Sequence, residues 1–313
     1  MVDKRTLAVF LPHDETTKYQ QLIIDDARRA AQNAGFEVES HFAHGSVITQ
    51  IKQVYRCVQG EAAARTCAII AMPVIDNSLN RVAVDAVRAG LGWICLHREM
   101  DGLENLRREF PAVPISAVGP DQREIGRIQG RQFRALLPRG GIVLYVQGNA
   151  STSSARSRLA GMTDAIAGAN IDARDVLDGN WREEDAERTV GGWLRMVMSG
   201  KSHLDLIGCQ NDEMAAGARK ALDSVAGYLG KPELERVMVT GCNGLVDFGQ
   251  RLVKEGKLAA TVVVPSSGAA AVELIAGAYQ GRPVPPSVTL PSASYPAEAV
   301  LGRGIAASPG GQL

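Results

Sequence analysis

"LDLIGCQNDEMAAGARKAL", residues 204–222, passes from an apolar run (Leu204 to Gly208) through four polar residues (Gln210, Asn211, Asp212, Glu213) into an Ala-rich helical pattern. A short, continuous apolar run bounded by polar residues reads as a strand buried on both faces, as in parallel sheets covered by helices. Two carboxylates then open the helix, where the positive end of the helix dipole favours them. Strand followed by helix is half of a βαβ unit.

The same half-unit recurs in both directions. Upstream, the pattern predicts strands at Leu7 to Leu11, Glu37 to Phe42, Cys67 to Met72 and Trp93 to Leu96. Helices are predicted at Gln20 to Ala34, ending at Gly35, at Ile48 to Val58 and at Leu79 to Ala89. No element is assigned between 97 and 140. The rhythm resumes with strands at Gly141 to Val146, Ala173 to Leu177, Asp205 to Gly208, Val237 to Gly241 and Ala259 to Val264. Helices Ala155 to Ala167, Glu183 to Met198, Asp212 to Val225, Val246 to Glu255 and Ser267 to Tyr279 alternate with them. The last has Gly281 and Pro283 just beyond it, which is good stop chemistry. The expected fold is α/β: two similar Rossmann-like lobes with parallel sheets. The tail "GRGIAASPGGQL" is expected to fray.

Composition limits the function. The chain has 313 residues, enough for two lobes with a large core. Lys+Arg and Asp+Glu both number 34, so the overall field attracts neither nucleic acid nor an anionic membrane, and a small or neutral partner is expected. No apolar run approaches the roughly 20 residues of a membrane span, and the start shows no export signal. The five cysteines (Cys57, Cys67, Cys95, Cys209, Cys242) lack CxxC spacing and lie in or beside apolar runs, so they read as buried reduced thiols. Together these predict a cytoplasmic location as the sequence is written, or a periplasmic one if a signal peptide has been removed.

Ligands of open parallel sheets bind beyond the carboxyl ends of the strands, where loops and helix N-termini meet. In this chain those ends carry "PHDETTKYQQ", "HREM", "QGNASTSSARSR", "DGNWREED", "QNDEM" and "CNGLVD". Nearly all are polar, donor-rich or aromatic, so the Asn211 cluster is expected to form one wall of a cleft between lobes.

With "SSARSRLAGM", "QNDEMAAGA" and "KEGKLAATVVV" occurring in this order, the chain resembles the type I periplasmic solute-binding proteins of the ribose/galactose group, whose core is shared with LacI-like effector domains. The resemblance runs from about Leu7 to Pro291. It implies lobes of 1–119 plus 265–290 and of 120–264 plus 291–313, joined by three hinge crossovers near Val118 to Asp121, Ala226 to Arg236 and Val264 to Ser267. It also implies ligand contacts at Arg98, Arg158 and Asn211, an aromatic stack on Trp181, and further contacts at Thr17, Tyr19, Gln20, His97 and Asn243. Departures from the family pattern matter: His97 and Asn243 each replace an Asp, Thr17 replaces an Asn, and Val264 replaces a Gln. With two carboxylates gone, a modified sugar, polyol or sugar acid is expected rather than ribose.

The chemistry is consistent with this. Arg presents five donors in a planar fork, and Trp offers an apolar plane to the C–H face of a sugar ring. Asp212 and Glu213 read as helix-capping charges. No GxSxG elbow, phosphate loop, HExxH or GxGxxG follows a strand, so no enzyme, cofactor or metal site is expected. The predicted function is solute binding with lobe closure, serving a permease or a sensor kinase. The alternative is an effector-sensing module without a DNA-binding domain of its own.

Overall fold

The computed structural model describes residues 5–199 and 202–301; the tail at 302–313 lies outside them. In chain order the elements are β1 (Arg5–Leu11), α1 (Lys18–Ala34), β2 (Phe36–Phe42), α2 (Val47–Gln59), β3 (Thr66–Ala71), α3 (Asn80–Arg88), β4 (Gly92–Leu96), α4 (Leu103–Glu109), β5 (Ile115–Pro120) and α5 (Gln122–Leu136). There follow β6 (Gly141–Gln147), α6 (Ser153–Ile166), β7 (Ile171–Asp172), β8 (Val176–Asp178), α7 (Glu183–Val197), β9 (Leu206–Cys209), α8 (Asp212–Leu229) and β10 (Met238–Asn243). The last are α9 (Gly249–Lys254), β11 (Ala260–Val263), α10 (Gly268–Tyr279), β12 (Ser287–Leu290), β13 (Ala293–Tyr295) and α11 (Glu298–Leu301).

The chain divides into two compact units: Met1–Asp121, Ser151–Ser154 and Pro265–Pro291 form the first, and Gln122–Ala150, Ala155–Val264 and Ser292–Leu313 the second. In the first unit six strands form a sheet ordered β12-β5-β4-β3-β1-β2, parallel at every pairing. β1 is buried from its second residue to its last, as a strand covered on both faces must be. One face packs Phe10, Ile69, Val82 and Trp93. α10, apolar nearly all round, packs against α1, and Gly268 makes this possible: a Cβ there would sit 2.0 Å from the Ile23 carbonyl oxygen.

In the second unit the order is β13-β11-β10-β9-β6-β7, with β8 also on β6 and only β13 antiparallel. Leu144, Val190, Leu194, Ile207, Met214 and Leu222 fill one side. Phe133, Tyr145 and Met162 fill the other, with the Phe133 ring seated where Gly208 has no side chain.

Several expectations need correcting. Residues 226–236 form no crossover: they are the end of α8 and a 3₁₀ turn inside the second unit, and the chain instead passes between units at Pro291/Ser292 and on either side of Ser151–Ser154. The Ala-rich α8 simply runs on, burying Val225 and Ala226, until Gly230 takes the left-handed cap. The strand expected at Ala173 to Leu177 survives only as β8 (Val176–Asp178); a separate β7 (Ile171–Asp172) precedes it, and between them the Asp172 carboxylate accepts the Arg174 N–H and guanidinium. α5 escaped the apolar pattern because its buried face carries Gly126, Gln129, Gly130 and Gln132 among Ile125, Ile128 and Phe133. Those amides are used: Gln129 donates to the Cys209 carbonyl (2.7 Å) and accepts from the Tyr145 hydroxyl (2.7 Å), and Gln132 donates to the Thr261 carbonyl (3.0 Å). The short α4, β12 and β13 bury too little to leave a period.

Candidate functional site

The residues expected at the site fall into two arrays, each within one unit. In the first, Thr17 caps α1 by backbone alone, its side chain making no cap bond, and Tyr19 and Gln20 lie in the first turn. The Tyr19 hydroxyl donates to the Pro265 carbonyl (2.8 Å), and its ring meets His97 edge-on with centroids 5.5 Å apart. Gln20 is directed elsewhere: its Oε1 accepts the His13 N–H (3.2 Å) and fixes the loop after β1. His97, at the end of β4, has φ +58°, and its Nε2 lies 2.9 Å from Ser267 Oγ. Arg98 Nη1 donates to Ser154 Oγ, whose hydroxyl donates to the His97 carbonyl (2.7 Å).

Ser153 and Ser154 open α6 yet pack with the first unit. The Asp76 carboxylate accepts both the N–H (2.5 Å) and the hydroxyl (2.7 Å) of Ser153. Asp76, Ser153, Ser154 and Ser267 were not singled out from sequence; nothing separates such residues from ordinary turn chemistry.

In the second array Arg158 is 5 % exposed. Its Nε donates to Gln122 Oε1 (2.8 Å) and its Nη1 to the Gln210 carbonyl (2.5 Å). Its guanidinium carbon lies 5.4 Å from the centre of the Trp181 ring. No carboxylate pairs with Arg158, and Nη2 forms no hydrogen bond, among the described residues. Trp181 follows β8 at φ +65°, and its indole lies on Gly148, where a Cβ would fall 2.0 Å from the ring.

Asn211 is the N-cap of α8: Oδ1 accepts the Met214 N–H (2.8 Å) and Nδ2 donates to the Trp181 carbonyl (2.9 Å), so one amide both caps the helix and holds the aromatic. Gln210 is fully buried, accepting the Gly148 N–H (3.0 Å) and donating to the Ala155 carbonyl (2.9 Å). Asn243 ends β10 at φ +101° and 8 % exposure, and its side-chain amide has no hydrogen bond among the described residues. Gln122 Nε2 is buried without a partner.

Left-handed backbone at His97, Trp181 and Asn243 is uncommon for residues other than glycine, and such strain gathers where side chains are held for a task. Burial governs the titrating groups. It pushes the Cys242 thiol up to about 11 despite the nearby Arg158 guanidinium, and raises the Tyr145 phenol. All five cysteines are unpaired thiols, with Cys57, Cys95, Cys209 and Cys242 buried and Cys67 half-buried. Among the described residues no helix is long and apolar enough to cross a membrane.

A model of the periplasmic binding protein domain family matches residues 7–283. The ribose import binding protein of Salmonella typhimurium is 33 % identical over 190 residues, 60 % of this chain; the match spans 57 % of that relative's length. Among solved structures, a transporter solute-binding protein from Bacillus halodurans with bound myo-inositol is similar at a TM-score of 0.78 and 22 % identity, covering 94 % of this chain and 95 % of that one. The fructose-binding periplasmic domain of a hybrid two-component system gives 0.78 and 21 % identity over 95 % and 93 % of the two chains. At these identities the structural likenesses establish the fold alone.

Proposed function

We propose, from the premise that this chain belongs to the periplasmic binding protein domain family, that it binds a sugar-like solute and presents it, by one lobe closing over it, to a permease or a sensor kinase. The observation that carries the reading is Arg158. A buried guanidinium is costly to hold unless its donors are met, and here they meet only neutral acceptors, leaving Nη2 for an incoming oxygen. Trp181 beside it supplies an apolar plane, and Asn243 an amide with both donor and acceptor to offer.

The ligand class follows from what the array lacks. A carboxylate accepts from two neighbouring hydroxyls; His97 and Asn243 offer mixed donors and acceptors instead. A modified sugar, a polyol or a sugar acid matches that mixture, with Arg98 and Arg158 taking its most oxygen-rich or anionic groups. Membership of a binding-protein family supports binding over turnover. Membership of a periplasmic family supports that compartment over the cytoplasm suggested by the free thiols. A role in sensing is kept beside transport because the fold is shared by a sensor's periplasmic domain.

A thermal-shift screen over pentoses, hexoses, inositols and sugar acids tests the reading. A true ligand at about 100 times its Kd adds roughly 2.7 kcal/mol of stability. Arg158→Ala is expected to abolish that shift; a shift retained in full by the variant refutes the assigned array.

A further inference from the structure

Asn243 poses a question its own side chain does not answer: what keeps a non-glycine residue at φ +101°? On one side its carbonyl accepts the Val264 N–H (3.1 Å). On the other, the N–H of Gly244 donates to Asp212 Oδ2 (2.7 Å). Gly244 is itself at φ +59°, with Val263 filling the space a Cβ would need. Asp212 is fully buried, and its Oδ1 accepts the Thr261 hydroxyl (2.6 Å) of β11. The carboxyl occupies a slot formed by two glycines: a Cβ at Gly241 would lie 2.2 Å from Oδ1 and one at Gly249 2.0 Å from Oδ2. Two segments thus leave room for this side chain, and two more donate hydrogen bonds to it.

We propose that Asp212 is a positioning residue, clamping the turn after β10 to β11 so that Asn243 is held in its left-handed conformation at the candidate site. This rests on the reading of Asn243 as a binding residue, but the clamp itself is tested without ligand. Asp212 does more than cap α8, since Asn211 already supplies the cap.

The surroundings make the clamp sensitive to protons. Burial is the largest influence and pushes the carboxyl up to about 8; the Thr261 hydroxyl opposes this, the Glu213 carboxylate adds to it, and the N–H groups of Gly244 and Cys242 oppose it again. The other titratable groups about it are the thiols of Cys209 on β9 and Cys242 on β10, and Arg158 from α6 reaches Cys242 Sγ at 3.5 Å. From β11 Thr261 donates to it, and from α9 Gly249 leaves it room.

The experiment follows the ¹H–¹⁵N resonance of Gly244 in the ligand-free full chain between about pH 6 and about pH 10, in wild type and in Asp212→Asn. The expected result is a sigmoidal shift centred near 8 in wild type, absent from Asp212→Asn. Hydrogen exchange over residues 241–249 adds a second reading. Asp212→Ala is expected to speed it by about tenfold or more, with β1 unchanged, whereas Asp212→Asn, whose amide can both accept from Gly244 and donate to Thr261, keeps protection. If Asp212→Ala does not fold, Thr261→Val takes its place, with the same local loss expected. A Gly244 resonance flat across the range, or a titration surviving in Asp212→Asn, overturns the proposal. A sugar screen without hits would instead count against the proposed function and leave this result standing.

Discussion

Replacing Asp212 by Asn is expected to change the slope of stability against pH. The carboxyl titrates near 3.8 in the unfolded chain and at about 8 when folded, because burial disfavours its charged form. Between those values the folded protein keeps a proton that the unfolded chain has released. This group's stabilising contribution is therefore complete below 3.8 and is lost progressively as pH rises through 8. The slope is about 1.4 kcal/mol per pH unit, so wild type should lose roughly 2 to 3 kcal/mol from this source between about pH 5 and about pH 7. Asn fills the same slot without titrating. His41, whose pKa burial lowers, works in the opposite direction, losing stability as pH falls through 6.5, but it is common to both chains and cancels in the difference. Urea unfolding followed by circular dichroism at several pH values gives that difference. The variant should gain on wild type as pH rises; parallel curves would refute the buried, high-pKa carboxyl.

Two further substitutions test the arrays and the core. Gly148→Ala puts a methyl 2.0 Å from the Trp181 ring, so the indole must move. Trp emission and the near-ultraviolet circular dichroism should change while the far-ultraviolet spectrum is kept; unaltered emission would contradict the packing. Gln50→Leu removes the partner of the Met72 carbonyl (2.8 Å) and of the Val74 N–H (3.0 Å) at a fully buried position. A loss of about 2 to 4 kcal/mol is expected in chemical denaturation, the cost of two unsatisfied backbone groups.

The fold was legible wherever apolar residues ran without interruption. β1, β3, β4, β6 and β9 are covered on both sides, so their sequences contain little else, and strand followed by helix repeats openly around them. The strand-end location of Arg98, Trp181, Asn211 and Asn243 was legible for the same reason, since parallel sheets deliver loops to one edge. α5 was hidden because its buried face uses glutamine and glycine, whose place in a core depends on partners far along the chain.

The sequence by itself determined a two-part parallel α/β protein with donor-rich strand ends, because periodicity and polarity are local properties. Tertiary structure alone decided the roles. It turned Asn211 into a cap that also holds Trp181, spent Gln20 on a loop, and gave Asp212 a slot between two glycines. Gln20 finds its partner seven residues back at His13, Asn211 reaches thirty residues to Trp181, and Asp212 uses space left by missing side chains; none of this is written at the residue itself.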